Sequence, residues 1–195
     1  MFAYGAGMAL AARRTGRALA NNVNGTDRFP RLCAAAAAAS APVAFLGARQ
    51  GVARQCATLM ERHYPGLKVV WVEDGYLASA AEAAKLSDLN TSGARLLFVA
   101  KGVPAQEQWM AAHAAHVTVP VILGVGALFD FFSGTVPRAP PALRKLRQAW
   151  AYRLLPDPPR LFPTHVLCTP AFIAAAPLLP FFPSTPFRGL IRHAP

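Results

Sequence analysis

Residues 96–110, LLFVAKGVPAQEQWM, and residues 121–140, VILGVGALFDFFSGTVPRAP, decide the fold. Each opens with a short apolar run of strand character, and each run closes on a glycine. Polar residues that a core has no use for follow at once. They are Lys101, Gln106 and Glu107 after the first run, and Asp130 and Arg138 after the second. In open α/β sheets, ligands bind just beyond the carboxyl ends of the strands. The two runs therefore read as adjacent strand ends facing one ligand.

Working outward, PVAFLG (42–47) and KVVWVE (68–73) are two further apolar strands, joining RLLFVA (95–100) and PVILGV (120–125). Helical patterns separate them: 51–64, ended by Pro65-Gly66; a short polar helix over 79–90; and Pro104 to about Ala115, with proline where it suits a helix start. Two helices precede the first strand. One spans 6–20 with Arg13, Arg14 and Arg17 on a polar side. The other runs from about Phe29 to Ser40 on an alanine run, with Thr26-Asp27 ahead of it. Strand–helix alternation with near-continuous apolar strands predicts an α/β fold: a Rossmann-like, mostly parallel sheet with helices on both faces and right-handed crossovers. The four strand exits, 47–49, 74–76, 101–102 and 124–126, then share one edge.

Composition changes after Val136. Beyond it lie 13 of the 18 prolines and eight Arg/Lys against one acid, Asp157. This predicts an α/β core over 1–136 and a basic, proline-rich C-terminal appendage over 137–195. Within the appendage, residues 142–155 form a helix with Leu143, Leu146, Trp150 and Leu154 on one stripe and arginines elsewhere. It reads either as a surface laid against anionic lipid or as a core-packing helix with solvated arginines.

The net charge of +11 points to an anionic partner: nucleic acid, a phosphorylated ligand or anionic lipid. Cys33, Cys56 and Cys168 are scattered, which suits reduced thiols in a cytosolic protein without structural zinc. The apolar part of Met1–Ala20 precedes its arginines, the reverse of a signal peptide, and the greasiest tract, Ala171–Phe182, is short and broken by Pro177 and Pro180. Any membrane contact is expected to be peripheral. The glycine pairs at Gly5/Gly7 and Gly47/Gly51 lack the spacing of a dinucleotide site, and no P-loop or GxSxG elbow is present. His113 and His116 are spaced i,i+3 without an acidic companion and read as a surface pair.

Several residues carry two readings each. Asp27, in NGTDR, is a helix cap or a functional carboxylate. Glu107 supports the dipole of the helix it opens, while Gln106 projects near free backbone N–H groups, where phosphate binds well. Asp130 sits among aromatic rings and needs a partner: a base N–H, a sugar hydroxyl, or the following turn. Tyr76 stacks on a base or plugs a strand end. Arg138 pairs a phosphate or braces the domain junction.

Three segments, YPGLKVVWVEDGY (64–76), GVPAQEQW (102–109) and GVGALFDFFSGTVPRAP (124–140), closely resemble the WecG/TagA/CpsF family of bacterial glycosyltransferases. The resemblance covers roughly Phe2 to Phe172. It implies inverting transfer of a sugar, N-acetylmannosamine, its uronic acid or a hexose, in cell-surface polysaccharide synthesis. The donor is a UDP-sugar and the acceptor a polyprenyl-pyrophosphate-linked sugar at the inner membrane face, with no metal and no cofactor. It assigns Asp27, in the matched G-T/x-D motif with Thr26, as general base on the acceptor hydroxyl. Tyr76 and Asp130 match positions at the uracil end and Gln106, with Glu107, one near the diphosphate or sugar; without a metal the leaving diphosphate needs cationic or amide donors, which Arg138 and the tail arginines would supply. The chain departs from the pattern in places. The family's D-G-x-G is Tyr4-Gly5-Ala6-Gly7, and its EP-x-R is Asp157-Pro158-Pro159-Arg160. The family's earlier T-x-N strand is not within the sequence, which predicts an open sheet edge or an unpaired core face. Two alternatives stand beside the enzyme: a truncated remnant that keeps UDP binding, and a basic nucleic-acid-binding module, which no interleaving of aromatic and basic residues supports.

Overall fold

A computed structural model of the chain describes residues 25–76 and 79–135. The expected helices at 6–20 and 142–155, and Arg138, lie outside the described residues. The element order is α1 (Gly25–Ala38), β1 (Val43–Gly47), α2 (Val52–His63), β2 (Val69–Glu73), α3 (Ser79–Thr91), β3 (Leu96–Ala100), α4 (Ala105–His113), β4 (Val121–Gly124) and α5 (Leu128–Phe132).

The four strands form one sheet in the order β2-β1-β3-β4, every neighbouring pair parallel. β1 and β3 run in unbroken register from Val43↔Leu96 to Gly47↔Ala100. The chain leaves β1 in one direction to make β2 and returns past it to make β3 and β4. The order therefore reverses between β1 and β3, the point where ligands of such sheets bind.

Alternate residues of the central strands face opposite layers. On one side Val43, Phe45 and Phe98 meet Phe29 and Cys33 of α1, Cys56 and Met60 of α2, and Phe129 of α5. On the other side Ala44, Leu46, Leu97 and Val99 meet Leu89 of α3, Trp109 of α4, Val117 and Val119. Both faces are covered, which is why these strands read as continuous apolar runs rather than alternating ones. Phe29 is the hub of the first layer. Its ring lies 5.0 Å from Phe98, edge to face, and 5.1 Å from Phe132. Burial of each such ring contributes about 1.5–3 kcal/mol.

Helix α1 corrects one expectation. It begins at Gly25, not near Phe29, so Asp27 lies inside the first turn instead of ahead of the helix. Pro30 sits just past that turn and costs the helix one backbone rung. At the other end Ser40 takes the left-handed conformation (φ 48°), and Ala41 N–H reaches back to the Ala36 carbonyl at 2.9 Å. This is a Schellman ending with serine in the position glycine usually holds. The short turn brings the chain directly into β1. Because α1 runs back along the sheet, its first turn lies at the carboxyl edge. The second correction is α5. The ALFDFF run, for which the sequence suggests no element, contains a five-residue helix that carries Asp130.

Candidate active site

The four strand exits share the carboxyl edge, as parallel pairing requires, and backbone hydrogen bonds tie them together. Ala48 N–H donates to the Ala100 carbonyl at 2.8 Å, Gly75 N–H to the Ala48 carbonyl at 2.9 Å, and Val125 N–H to the Val99 carbonyl at 2.8 Å. Two conformations make this possible. Gly47 has φ 133°, and a Cβ there would stand 2.4 Å from the Ala100 carbonyl oxygen, so only glycine fits. Ala48 is left-handed (φ 60°) despite its side chain, a strained residue at the edge where the strand order reverses. Asp74, just past β2, accepts the Gly51 N–H at 3.1 Å and so holds the loop between β1 and α2.

Gln106 stands in the first turn of α4 and is 6% exposed. Both ends of its side-chain amide are engaged within the fold. Its Oε1 accepts the Gly126 N–H at 2.7 Å, and its Nε2 donates to Glu107 Oε1 at 2.7 Å. The side chain is a brace that fixes the β4–α5 connection against the start of α4. A Cβ at Gly124 would meet Gln106 Nε2 at 3.0 Å, so the end of β4 is glycine where the amide crosses it. Glu107 is exposed at the helix start, where it also favours the helix dipole.

Helix α5 doubles back from β4 over the sheet, because Phe129 stacks on Phe45 of β1 at 4.8 Å. It packs against α2, and Asp130 comes within electrostatic reach of Cys56. The start of α1 meets the same short helix: a Cβ on Gly25 would lie 3.7 Å from Leu128 Cδ1. The structure thus brings the Thr26–Asp27 turn and the Asp130 helix side by side. Thr26 is buried and Asp27 exposed. The doubling back also carries Asp130 away from β4 toward the β1–β2 side, where Tyr76 leaves the sheet. Tyr76 is 83% exposed, so it does not plug the strand end. Arg138 lies outside the described residues.

Lys101 is the polar residue at the end of β3. It is half-buried past the end of β3, its Nζ 6.0 Å from the centre of the Trp109 ring. Burial lowers its pKa from 10.5, and the nearby Glu82 carboxylate opposes that shift. Glu82 itself accepts the Trp109 indole N–H at 2.8 Å, and the Trp109 ring stacks on His113 at 4.7 Å. Cys33 and Cys56 are buried free thiols, both pushed up to about 12, chiefly by burial. Among the described residues no three His, Cys, Asp or Glu side chains converge on a metal position. A groove of about 590 Å³ runs between α3 and α4, lined by residues including Glu82, Ser87, Asn90, His113 and His116. It is wide open, and none of the four strand exits lines it. The strand-exit edge, with its left-handed Ala48 and the tied strand ends, is therefore the better candidate.

The model of the glycosyl transferase WecG/TagA/CpsF family matches residues 1–179. The N-acetylglucosaminyldiphosphoundecaprenol N-acetyl-beta-D-mannosaminyltransferase of Bacillus spizizenii is 30% identical over 171 residues, 88% of this chain and 65% of that protein. The protein of the same name from Bacillus subtilis is 30% identical over 154 residues, 79% of this chain and 59% of that one. The chain spans less than two thirds of the length of these curated relatives.

Proposed function

The chain belongs to the glycosyl transferase WecG/TagA/CpsF family, and on that premise we propose that it transfers a sugar from a UDP-sugar to a polyprenyl-diphosphate-linked acceptor. N-acetylmannosamine on a lipid-linked N-acetylglucosamine is the pairing favoured by the names of the two relatives. Its uronic acid and a hexose are the other donors the family resemblance allows. The carrying observation is the convergence at one sheet edge of the Thr26–Asp27 turn, the Asp130 helix and the braced Gln106.

The chemistry follows from those positions. Asp27, exposed at the edge, takes the proton of the acceptor hydroxyl as its oxygen attacks the anomeric carbon. The anomeric carbon–oxygen bond to the diphosphate breaks on the opposite face, which inverts the centre and releases UDP. Asp130 and Tyr76 receive the uracil end, and Gln106 with Glu107 shapes the floor beneath the sugar and diphosphate. Arg138 is the cation that the family resemblance offers to the leaving diphosphate, and the basic region over 137–195 meets anionic lipid at roughly 1 kcal/mol per basic residue near the surface. The protein works on this reading in the cytoplasm, at the inner membrane face. No helix among the described residues is long and apolar enough to cross a bilayer.

The test is UDP release from UDP-N-acetylmannosamine in the presence of the lipid-linked acceptor. Asp27→Asn should lower turnover by about 10²–10⁴-fold, the usual worth of a general base, while UDP binding stays unchanged. Turnover retained in Asp27→Asn would remove Asp27 as the base.

A further inference from the structure

Lys101 is the first residue past β3, beside the reversal of strand order. Its ammonium is half-buried and, among the described residues, makes no hydrogen bond or ion pair. The Trp109 ring is its close neighbour, at 6.0 Å. Glu82 favours the charged form from a distance, but its Oε1 is already committed to Trp109 Nε1 at 2.8 Å and lies 3.6 Å from His113 Nε2. A desolvated cation without an acceptor costs stability, and folding alone gains nothing from it. The backbone beyond it is open: Gly102 is left-handed at φ 76°, and a Cβ there would meet nothing within 4 Å. A cation of this kind, at the ligand-binding edge of an α/β sheet and beside empty space, suits an anionic ligand.

We propose that Lys101 binds the diphosphate of the sugar-nucleotide donor. The inference rests on reading the strand-exit edge as the donor pocket. Lys101 adds to that reading a cation from the sheet itself, independent of the basic C-terminal region. As the anomeric carbon–oxygen bond breaks, its electron pair passes to the diphosphate. The acceptor oxygen bonds to the anomeric carbon, and the acceptor proton goes to Asp27. An ammonium already desolvated at the strand end neutralises that growing charge without reorganising. The burial that lowers the Lys101 pKa is then offset when the anion arrives.

Calorimetric titration of the full chain with UDP and with uridine, together with thermal unfolding, tests this. Lys101→Met should lower UDP affinity by roughly ten- to hundredfold, the worth of one charge-assisted hydrogen bond, and leave uridine affinity unchanged. The same variant should unfold at a higher temperature, because it removes a half-buried charge that had no hydrogen-bond acceptor. Lys101→Arg keeps the charge and should hold UDP affinity to within about tenfold of wild type. Wild-type UDP affinity in Lys101→Met overturns the proposal. So does a parallel loss of uridine binding, or a lowered unfolding temperature, since either marks Lys101 as structural. If the wild type binds neither UDP nor uridine, the donor-pocket reading fails first and the role of Lys101 falls with it.

Discussion

Gln106 and Gly124 should be energetically coupled, with a sign the geometry sets. A Cβ on Gly124 would meet Gln106 Nε2 at 3.0 Å, Met110 Cε at 3.0 Å and Gln106 Cδ at 3.1 Å. Gly124→Ala alone therefore overpacks the contact, at a cost of about 1–3 kcal/mol. Gln106→Ala alone removes the acceptor of the Gly126 N–H and leaves space beside β4, costing about 1–3 kcal/mol. In the double variant the new methyl occupies space the amide has vacated, and the flexible Met110 can adjust. Gly124→Ala should then become neutral or stabilising, helped by about 0.4–1 kcal/mol from the stiffer unfolded chain. The coupling energy should be about 1–2 kcal/mol in the direction of rescue. Urea denaturation of the four proteins measures it. Additivity within about 0.5 kcal/mol would refute the claim that the Gln106 side chain crosses the end of β4.

Two further predictions concern the same framework. Gly47→Ala puts a Cβ 2.4 Å from a backbone oxygen at φ 133°, so it should destabilise the fold by at least about 4 kcal/mol or abolish soluble expression; a mild effect in a thermal melt would contradict the close packing of the β1 and β3 exits. The Cys33 and Cys56 thiols are raised to about 12 in the fold against 9.0 for the ordinary thiol, so their contribution is complete below pH 9 and is lost as pH rises toward 12. Stability should fall in that window by about 1.4 kcal/mol per pH unit for each thiol, and both should resist a thiol reagent at neutral pH until the protein unfolds. Modification of either in the native protein at the rate of an exposed thiol would show that the layer between α1 and α2 is not closed.

The strands were legible because both faces of the sheet are covered. VAFLG and LLFVA are apolar throughout, and no other element suits a run so short and so greasy. The helices between them were placed to within one or two residues, since glycine and proline punctuate the chain at Gly51, Gly66 and Pro104. Helix α1 starts earlier than expected because Thr26-Asp27 reads as a cap ahead of the alanine run, whereas both residues lie inside the first turn. Helix α5 was hidden because five residues are too few to show a helical period. Tertiary contact holds it, through Phe129 on Phe45, and the sequence separation of that pair conceals it. The same limit applies at the site. Residue type and spacing marked Gln106 as out of place in a core, but its partner, the Gly126 N–H, is 20 residues away. Lys101 was visible as a polar residue at a strand end. Its burial against Trp109 and its lack of an acceptor are properties of the packed layers alone.

On the proposed function, the carboxyl edge of this sheet holds the uridine nucleotide. Amide chemical shifts measured while UDP is added test it most directly. Perturbations should appear at the four strand exits and the turns they lead into: 48–51, 74–76, 101–107 and 125–130. Residues lining the α3–α4 groove, such as Ser87, Asn90 and His116, should stay unmoved. Perturbations confined to that groove, with silent strand exits, would contradict it.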